Sequence, residues 1–208
     1  MRKMIALAAA LAAAPLAAQA NDALSYTYAE AGLARAEIHT GDLLGTVKGN
    51  GGYLRGSWGF TPNVHAFGSY TNVSDSGRID DLRIKGTLEQ LELGLGWHMA
   101  MSDRVDFTAD IAYVNLELTA KASYMGVSER DSIDTNAGRA TLGLRGKPSA
   151  RTEAWVRAGA MDGADMDSEF YGTLGGQIRF DKTWSIVGEA QWIGSDTTVY
   201  MAGVRASF

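Results

Sequence analysis

The chain has 208 residues, 25 of them glycine and only three proline, with no cysteine and 19 basic against 24 acidic side chains. The absence of cysteine excludes disulfide frameworks, thiolate zinc sites and thiol catalysis. The acidic balance argues against a nucleic-acid binder, and without a Gly-X-Y period or a proline excess neither collagen nor proline-rich disorder fits. After residue 20 no apolar run approaches the ~18 residues that a membrane-crossing helix needs.

In chain order, Arg2 and Lys3 precede an apolar run from Met4 to Ala14, followed by Pro15 and Ala18-Gln19-Ala20. A charged start, a short apolar core and a small-residue cleavage site predict a cleaved export signal over residues 1–20. A single domain then occupies residues 21–208, with 17 basic and 24 acidic residues.

From there the hydrophobic pattern has period two, which puts alternate residues on opposite faces of a strand. Residues 24–34 set Thr27, Ala29, Ala31 and Leu33 against Glu30, and residues 52–60 set Leu54, Gly56, Trp58 and Phe60 against Tyr53, Arg55 and Ser57. Residues 64–72 fit either phase, since His65 and Phe67 share one face and Ala66 and Tyr70 the other. The next segments are clearer. Leu91, Leu93, Leu95 and Trp97 alternate with Glu92 and His98, and Val105, Phe107, Ala109, Ile111 and Tyr113 with Asp106 and Asp110. Ala140, Leu142 and Leu144 oppose Arg139 and Arg145, while Ala154, Val156, Ala158 and Ala160 oppose Glu153, Trp155 and Arg157. Leu174, Ile178 and Phe180 oppose Arg179, and Trp184, Ile186, Ala190 and Trp192 oppose Glu189. The last segment sets Tyr200, Ala202, Val204, Ala206 and Phe208 against Arg205.

Ten strands are counted, with eight as the alternative. Brief connections at Thr61-Pro62-Asn63, Met101-Ser102-Asp103, Lys147-Pro148-Ser149 and Asp181-Lys182-Thr183 alternate with longer ones near 35–50, 73–87, 116–135 and 162–168. Short turns on one side and long loops on the other predict an all-β, closed antiparallel transmembrane barrel. The polar faces carry Glu30, Arg55, Glu92, Asp106, Asp110, Arg139, Arg145, Glu153, Arg157, Arg179, Glu189 and Arg205. Against lipid an unpaired charge near the midplane costs about 2–4 kcal/mol. These residues are therefore expected to form a charge network in the lumen. Gly94, Gly96, Ala112, Gly143, Gly159, Gly175 and Gly203 on the same face are expected to leave some vacant volume beside it.

Tyr200 and the terminal Phe208 share a face, and this strand resembles the closing strand of bacterial outer-membrane proteins. That resemblance implies recognition by the barrel-assembly machinery. The stretches Leu24 to Gly32, Pro62 to Tyr70 and Glu169 to Gly175 resemble a family of small porin-like outer-membrane barrels of xanthomonad-type bacteria, once described as immunity activators. The family offers no catalytic motif to carry over.

The expected function is that of an integral outer-membrane protein with a structural or surface-interaction role, long loops outside and both termini in the periplasm. Its expected partners are membrane lipid and lipopolysaccharide. No nucleic acid is expected, and the barrel is taken as a monomer. A narrow porin is the second reading. The third is a rim enzyme, a protease or lipid hydrolase using His39 near Glu37 and Asp42, but a lone loop histidine beside acids is more often solvated, so no enzyme is expected. Asp165, Asp167 and Glu169 start like a calcium loop, yet Phe170 stands where the sharp turn requires glycine. Neither metal nor cofactor is expected. Arg78, Arg83, Lys85 and Lys121 have the chemistry to meet lipopolysaccharide phosphates, with loop solubility as the plainer reading.

Overall fold

The computed structural model describes residues 24–39, 45–79, 82–124, 127–163 and 166–208. Residues 1–20, with the expected export signal, lie outside them, as do Asp42 and Asp165. Ten strands follow one another: β1 (Tyr28–His39), β2 (Thr46–Gly59), β3 (Val64–Ile79), β4 (Leu82–Ser102), β5 (Val105–Tyr124), β6 (Val127–Ser149), β7 (Thr152–Gly163), β8 (Met166–Arg179), β9 (Trp184–Ile193) and β10 (Thr197–Ser207). Each pairs antiparallel with its chain neighbours, and β1 closes the barrel on β10 through a register running from Tyr28↔Ser207 to Ile38↔Thr197. Closure removes the free edges that an open sheet of this alternation would present.

The four short turns share one device. Thr61, Ser102, Ser149 and Asp181 each accept, through a side-chain oxygen, the backbone N–H two residues on, at 3.3 Å from Asn63, Arg104 and Arg151 and 2.7 Å from Thr183. Such Asx- and Ser/Thr-turns hold the reversal beside the backbone bonds that flank it, as in Thr61 N–H to Val64 at 3.3 Å and Phe180 N–H to Trp184 at 3.1 Å. The third turn, expected at Lys147-Pro148-Ser149, lies two to three residues later, between Ser149 and Thr152. β6 runs through Pro148 to Ser149, with a register shift between Gly146 and Ser149 absorbing the residue that cannot donate to the ladder.

The opposite end differs more from expectation. The stretches 73–87 and 116–135, read as loops, are largely paired strand: β3 and β4 stay in register out to Ile79↔Leu82, and β5 and β6 out to Tyr124↔Val127. The alternation continues on one arm of each hairpin, Leu82 to Glu89 on β4 and Leu116 to Lys121 on β5, and pairing the more polar arms of β3 and β6 against them satisfies backbone groups that a loop would leave to water. Strands β3 to β6 have 16, 21, 20 and 23 residues against 10 for β9 and 11 for β10, so this side of the wall projects beyond the other.

The two faces of the wall differ in chemistry. More large apolar side chains are exposed than buried among the described residues, and the exposed ones include Leu33, Leu93, Leu95, Ile111, Leu142, Val156, Leu174, Ile178, Ile186 and Val204 on the outer face. Aromatic side chains bound this band. Trp58 with Phe60 and Trp97 with Phe107 sit in ring contact beside the short turns, at 6.0 and 6.3 Å between centroids, and Trp184 starts β9 on the same side. Toward the other end lie Tyr113, Phe170, Trp192 and Tyr200. From Trp184 to Trp192 is eight residues of one strand, roughly 20 Å along the barrel axis at the usual rise and tilt. That is close to the apolar height of about 25 Å of outer-membrane barrels.

Candidate functional site

The inner face holds the chemistry. All twelve charged residues assigned to the polar faces project into the lumen, six arginines and six carboxylates, and most are buried. Glu30 is the centre of one group. Arg205 reaches its Oε2 at 2.7 Å through Nε and 2.5 Å through Nη2, and the Tyr53 hydroxyl donates to its Oε1 at 2.6 Å. Arg55, directly opposite Glu30 in the β1–β2 register, stands 3.9 Å from Glu30 and donates to Glu189 at 2.9 Å. Glu189 also accepts from the Trp155 indole N–H at 2.6 Å and from the Gln191 amide at 2.8 Å.

Four further groups continue the packing. Arg139 forks onto both oxygens of Glu92 at 2.6 and 3.2 Å, the planar geometry that makes arginine–carboxylate pairs strong. Glu153 receives Arg145 at 2.6 Å and also Arg179. Arg157 meets Asp110 at 3.2 Å, and the Tyr26 hydroxyl donates to Asp106 at 2.9 Å. Removing two charges from water is costly, and these geometries offset the cost because most carboxylates meet more than one donor.

Aromatic rings fill the space between the pairs. Arg205 lies 4.0 Å from the Tyr28 ring centroid and 5.0 Å from that of Trp155, and Arg139 lies 4.4 Å from that of Tyr171. The inward glycines, expected to leave room, prove to be occupied from across the ladder. Phe67 is paired with Gly94, His65 with Gly96 and Trp155 with Gly175. In each pair the larger side chain lies where a Cβ on the glycine would stand. The vacancy expected at these positions is thus corrected: each glycine makes space that its cross-strand neighbour uses.

Toward the long hairpins the lumen turns apolar. Ala34, Ala36, Tyr53, Val73, Val199 and Met201 form one buried cluster, and Val114, Ala137, Met161 and Tyr171 another. Toward the short turns the segment before β1 folds under the barrel. Tyr26 stacks on His98 at 3.6 Å between ring centroids and lies 4.9 Å from His65. Ser25 donates to the Phe208 carbonyl at 2.7 Å and the Phe208 N–H donates to Thr27 at 2.9 Å, which ties the two ends of the barrel domain together.

Little volume is left. Among the described residues one lumen cavity has about 40 Å³, and another, lined by Tyr26 and Arg145 among others, about 20 Å³. Seven of the residues that line the larger one, His65, Asp110, Arg139, Thr141, Arg157, Thr173 and Gln191, each carry a buried polar atom that makes no hydrogen bond within the protein. It has room for about three waters.

The remaining candidates are scattered. His39 ends β1 with Nδ1 3.3 Å from the Asp196 carbonyl, while Glu37 is held by Arg35 at 3.1 Å and Lys48 at 3.6 Å. Among the described residues no group of three or more potential metal ligands gathers. Arg78 stands opposite Arg83 in the β3–β4 register, and Lys85 opposite Lys121 between β4 and β5. Tyr200 lies on the outer face of β10. Sequence reasoning missed Tyr26, Tyr53, Tyr171 and Gln191 as network members. The signal was present for all four, since each shares a strand face with an inward charge: Tyr26 with Glu30, Tyr53 with Arg55, Tyr171 with Arg179 and Gln191 with Glu189.

No protein-family model matches the chain, and no curated protein does. Among solved structures it is similar to Ail, the attachment invasion locus protein of Yersinia pestis, in complex with the heparin analogue sucrose octasulfate: 14% identity over 88% of this chain and 99% of that one, with a TM-score of 0.49. It is also similar to Neisserial surface protein A, at 13% identity over 88% and 98% of the two chains and a TM-score of 0.44. The NanC porin matches at 12% identity over 87% and 100%, with a TM-score of 0.48. At these identities the likeness is one of fold.

Proposed function

We propose that the chain is an integral β-barrel of the bacterial outer membrane with a structural and surface-interaction role, not an enzyme, and that its lumen is closed to solutes. One observation carries this reading. A charge-free apolar band, bounded by aromatic rings, surrounds a lumen in which the charges meet one another. Water would favour the reverse arrangement, whereas lipid admits a sheet only when it closes on itself and presents apolar side chains outward.

In this reading residues 1–20 direct export, the short turns and both ends of the barrel face the periplasm, and the β3–β6 side projects outside. The final strand, with Tyr200 and Phe208, serves as the signal for the assembly machinery. The barrel works as a monomer among outer-membrane lipids and lipopolysaccharide, binds no nucleic acid and holds no cofactor. Its family is that of the small porin-like barrels of xanthomonad-type bacteria, a reading supported by the three sequence stretches that resemble them.

The porin alternative requires a continuous aqueous path. Cavities of about 40 and 20 Å³ hold a few waters, not a hydrated solute. Purified protein in a planar bilayer is therefore expected to show no single-channel steps. Reproducible steps would overturn the closed lumen and favour the porin. Retarded or advanced gel mobility without boiling, lost on boiling, is expected of the closed barrel. Purification from the periplasm without detergent would overturn the membrane assignment.

A further inference from the structure

On the outer face of the projecting sheet the register sorts charge into rows. Glu89, Glu117 and Asp134 stand directly opposite one another across β4, β5 and β6. Thr87, Thr119 and Ser132 form the next row outward, and Lys85, Lys121 and Arg130 the one after that. The acidic row has partners: Asn72 donates to Glu89 at 2.7 Å, Asn115 to Asp134 at 2.6 Å, and Arg130 reaches down to Glu117 at 3.7 Å. The basic row does not balance in the same way. Lys85 and Lys121 are exposed neighbours with no ion pair among the described residues, and like charges directly opposite in a sheet repel. Lys85 and Lys121, spaced by the ~4.8 Å between strands, leave two unpaired ammonium groups for an anionic oxygen group, and Arg130 beside them shares its exposed guanidinium with Glu117 and has further N–H groups for a second.

We propose that Lys85, Lys121 and Arg130 bind the phosphate groups of lipopolysaccharide packed beside the barrel. The inference rests on the outer-membrane reading and specifies where that lipid is held. The row lies on the same face of the wall as the lipid-facing leucines Leu91 and Leu93 of β4, so it looks sideways at the surrounding leaflet and not up into the medium. Its four-residue displacement beyond Glu89 raises it roughly 10 Å along the barrel axis, above the apolar band and at the level of a sugar-phosphate core. A second copy of the chain is a poor occupant. Two copies in one membrane stand at equal height, and a two-fold pair through this face would set their basic rows against each other.

The test reconstitutes the full barrel in nanodiscs containing phosphorylated lipopolysaccharide, the same material stripped of phosphate, or neither with free heparin added. Wild-type protein is expected to enrich the phosphorylated form around itself about tenfold over the stripped form, with the enrichment falling as salt rises. The double variant Lys85→Gln/Lys121→Gln is expected to lose that preference while keeping its heat-dependent gel shift. Equal enrichment by variant and wild type, or equal enrichment of both lipopolysaccharide forms, overturns the proposal. Binding of heparin in preference to phosphorylated lipopolysaccharide overturns the choice of a lipid partner. A barrel that inserts and shifts on heating yet shows no preference sinks the phosphate row alone, whereas a chain that never enters the bilayer sinks the outer-membrane reading beneath it.

Discussion

Toward the short turns the lumen is filled by ion pairs and aromatic rings, with Glu30, Arg205, Arg145 and Glu153 buried there; toward the long hairpins it is filled by Ala34, Val73, Val114, Ala137 and Met161. Both halves are packed, but they withstand damage differently. An apolar side chain can be trimmed and leave only a cavity, whose cost scales with what the neighbours fail to refill. A buried ion cannot lose its partner without leaving a charge that neither lipid nor protein solvates. The charged half therefore depends on pairing, and the apolar half on volume.

The sharpest break is within the Arg139–Glu92 pair. Arg139→Met alone is expected to cost about 3–5 kcal/mol, because Glu92 remains buried without its fork. The double change Arg139→Met/Glu92→Leu should cost less than either single change, as measured by urea unfolding in detergent followed on unboiled gels. A double variant less stable than both singles would show that the pair itself, not the orphaned charge, stabilises the wall. Met161→Ala, in the apolar half, is expected to cost about 2–3 kcal/mol by the same assay. An additional loss when combined with Arg139→Met close to the sum of the singles would mean the two halves fail independently, whereas strong coupling is expected because the Met161 backbone pairs with Arg139.

The aromatic filling is tested at Gly175, where a Cβ would meet only Trp155 among its nearest atoms. Gly175→Ala should displace that ring, cost about 1–3 kcal/mol and shift tryptophan fluorescence, since the indole N–H would lose Glu189. The smallest effect belongs to the rim. Arg35→Ala removes an exposed pair with Glu37 and is expected to change stability by less than about 1 kcal/mol. A larger loss would mean that surface charge outside the band supports the barrel.

Much of this site is legible along the chain because a strand has period two. Once Leu93 and Ile111 are assigned outward, parity alone assigns Glu92 and Asp110 inward. The same rule left residues 64–72 open, since His65, Phe67, Ala66 and Tyr70 carry no decisive charge. Pairing with β4 resolves it: His65 and Phe67 lie inward over Gly96 and Gly94. The projecting hairpins were read as loops because Gly, Ser and Asp cluster in 73–87 and 116–135, residues whose local preference for turns is overridden when both neighbours offer a continuous ladder.

What the sequence determines by itself is which side chains share a face and, to within two or three residues, where the short turns fall, because each follows from contacts within a few residues. The tertiary structure decides who meets whom. Arg205 finds Glu30 across 175 positions and Arg139 finds Glu92 across 47, and three cations from three strands come into one row. Closure and register set those distances, and neither is written in the local alternation.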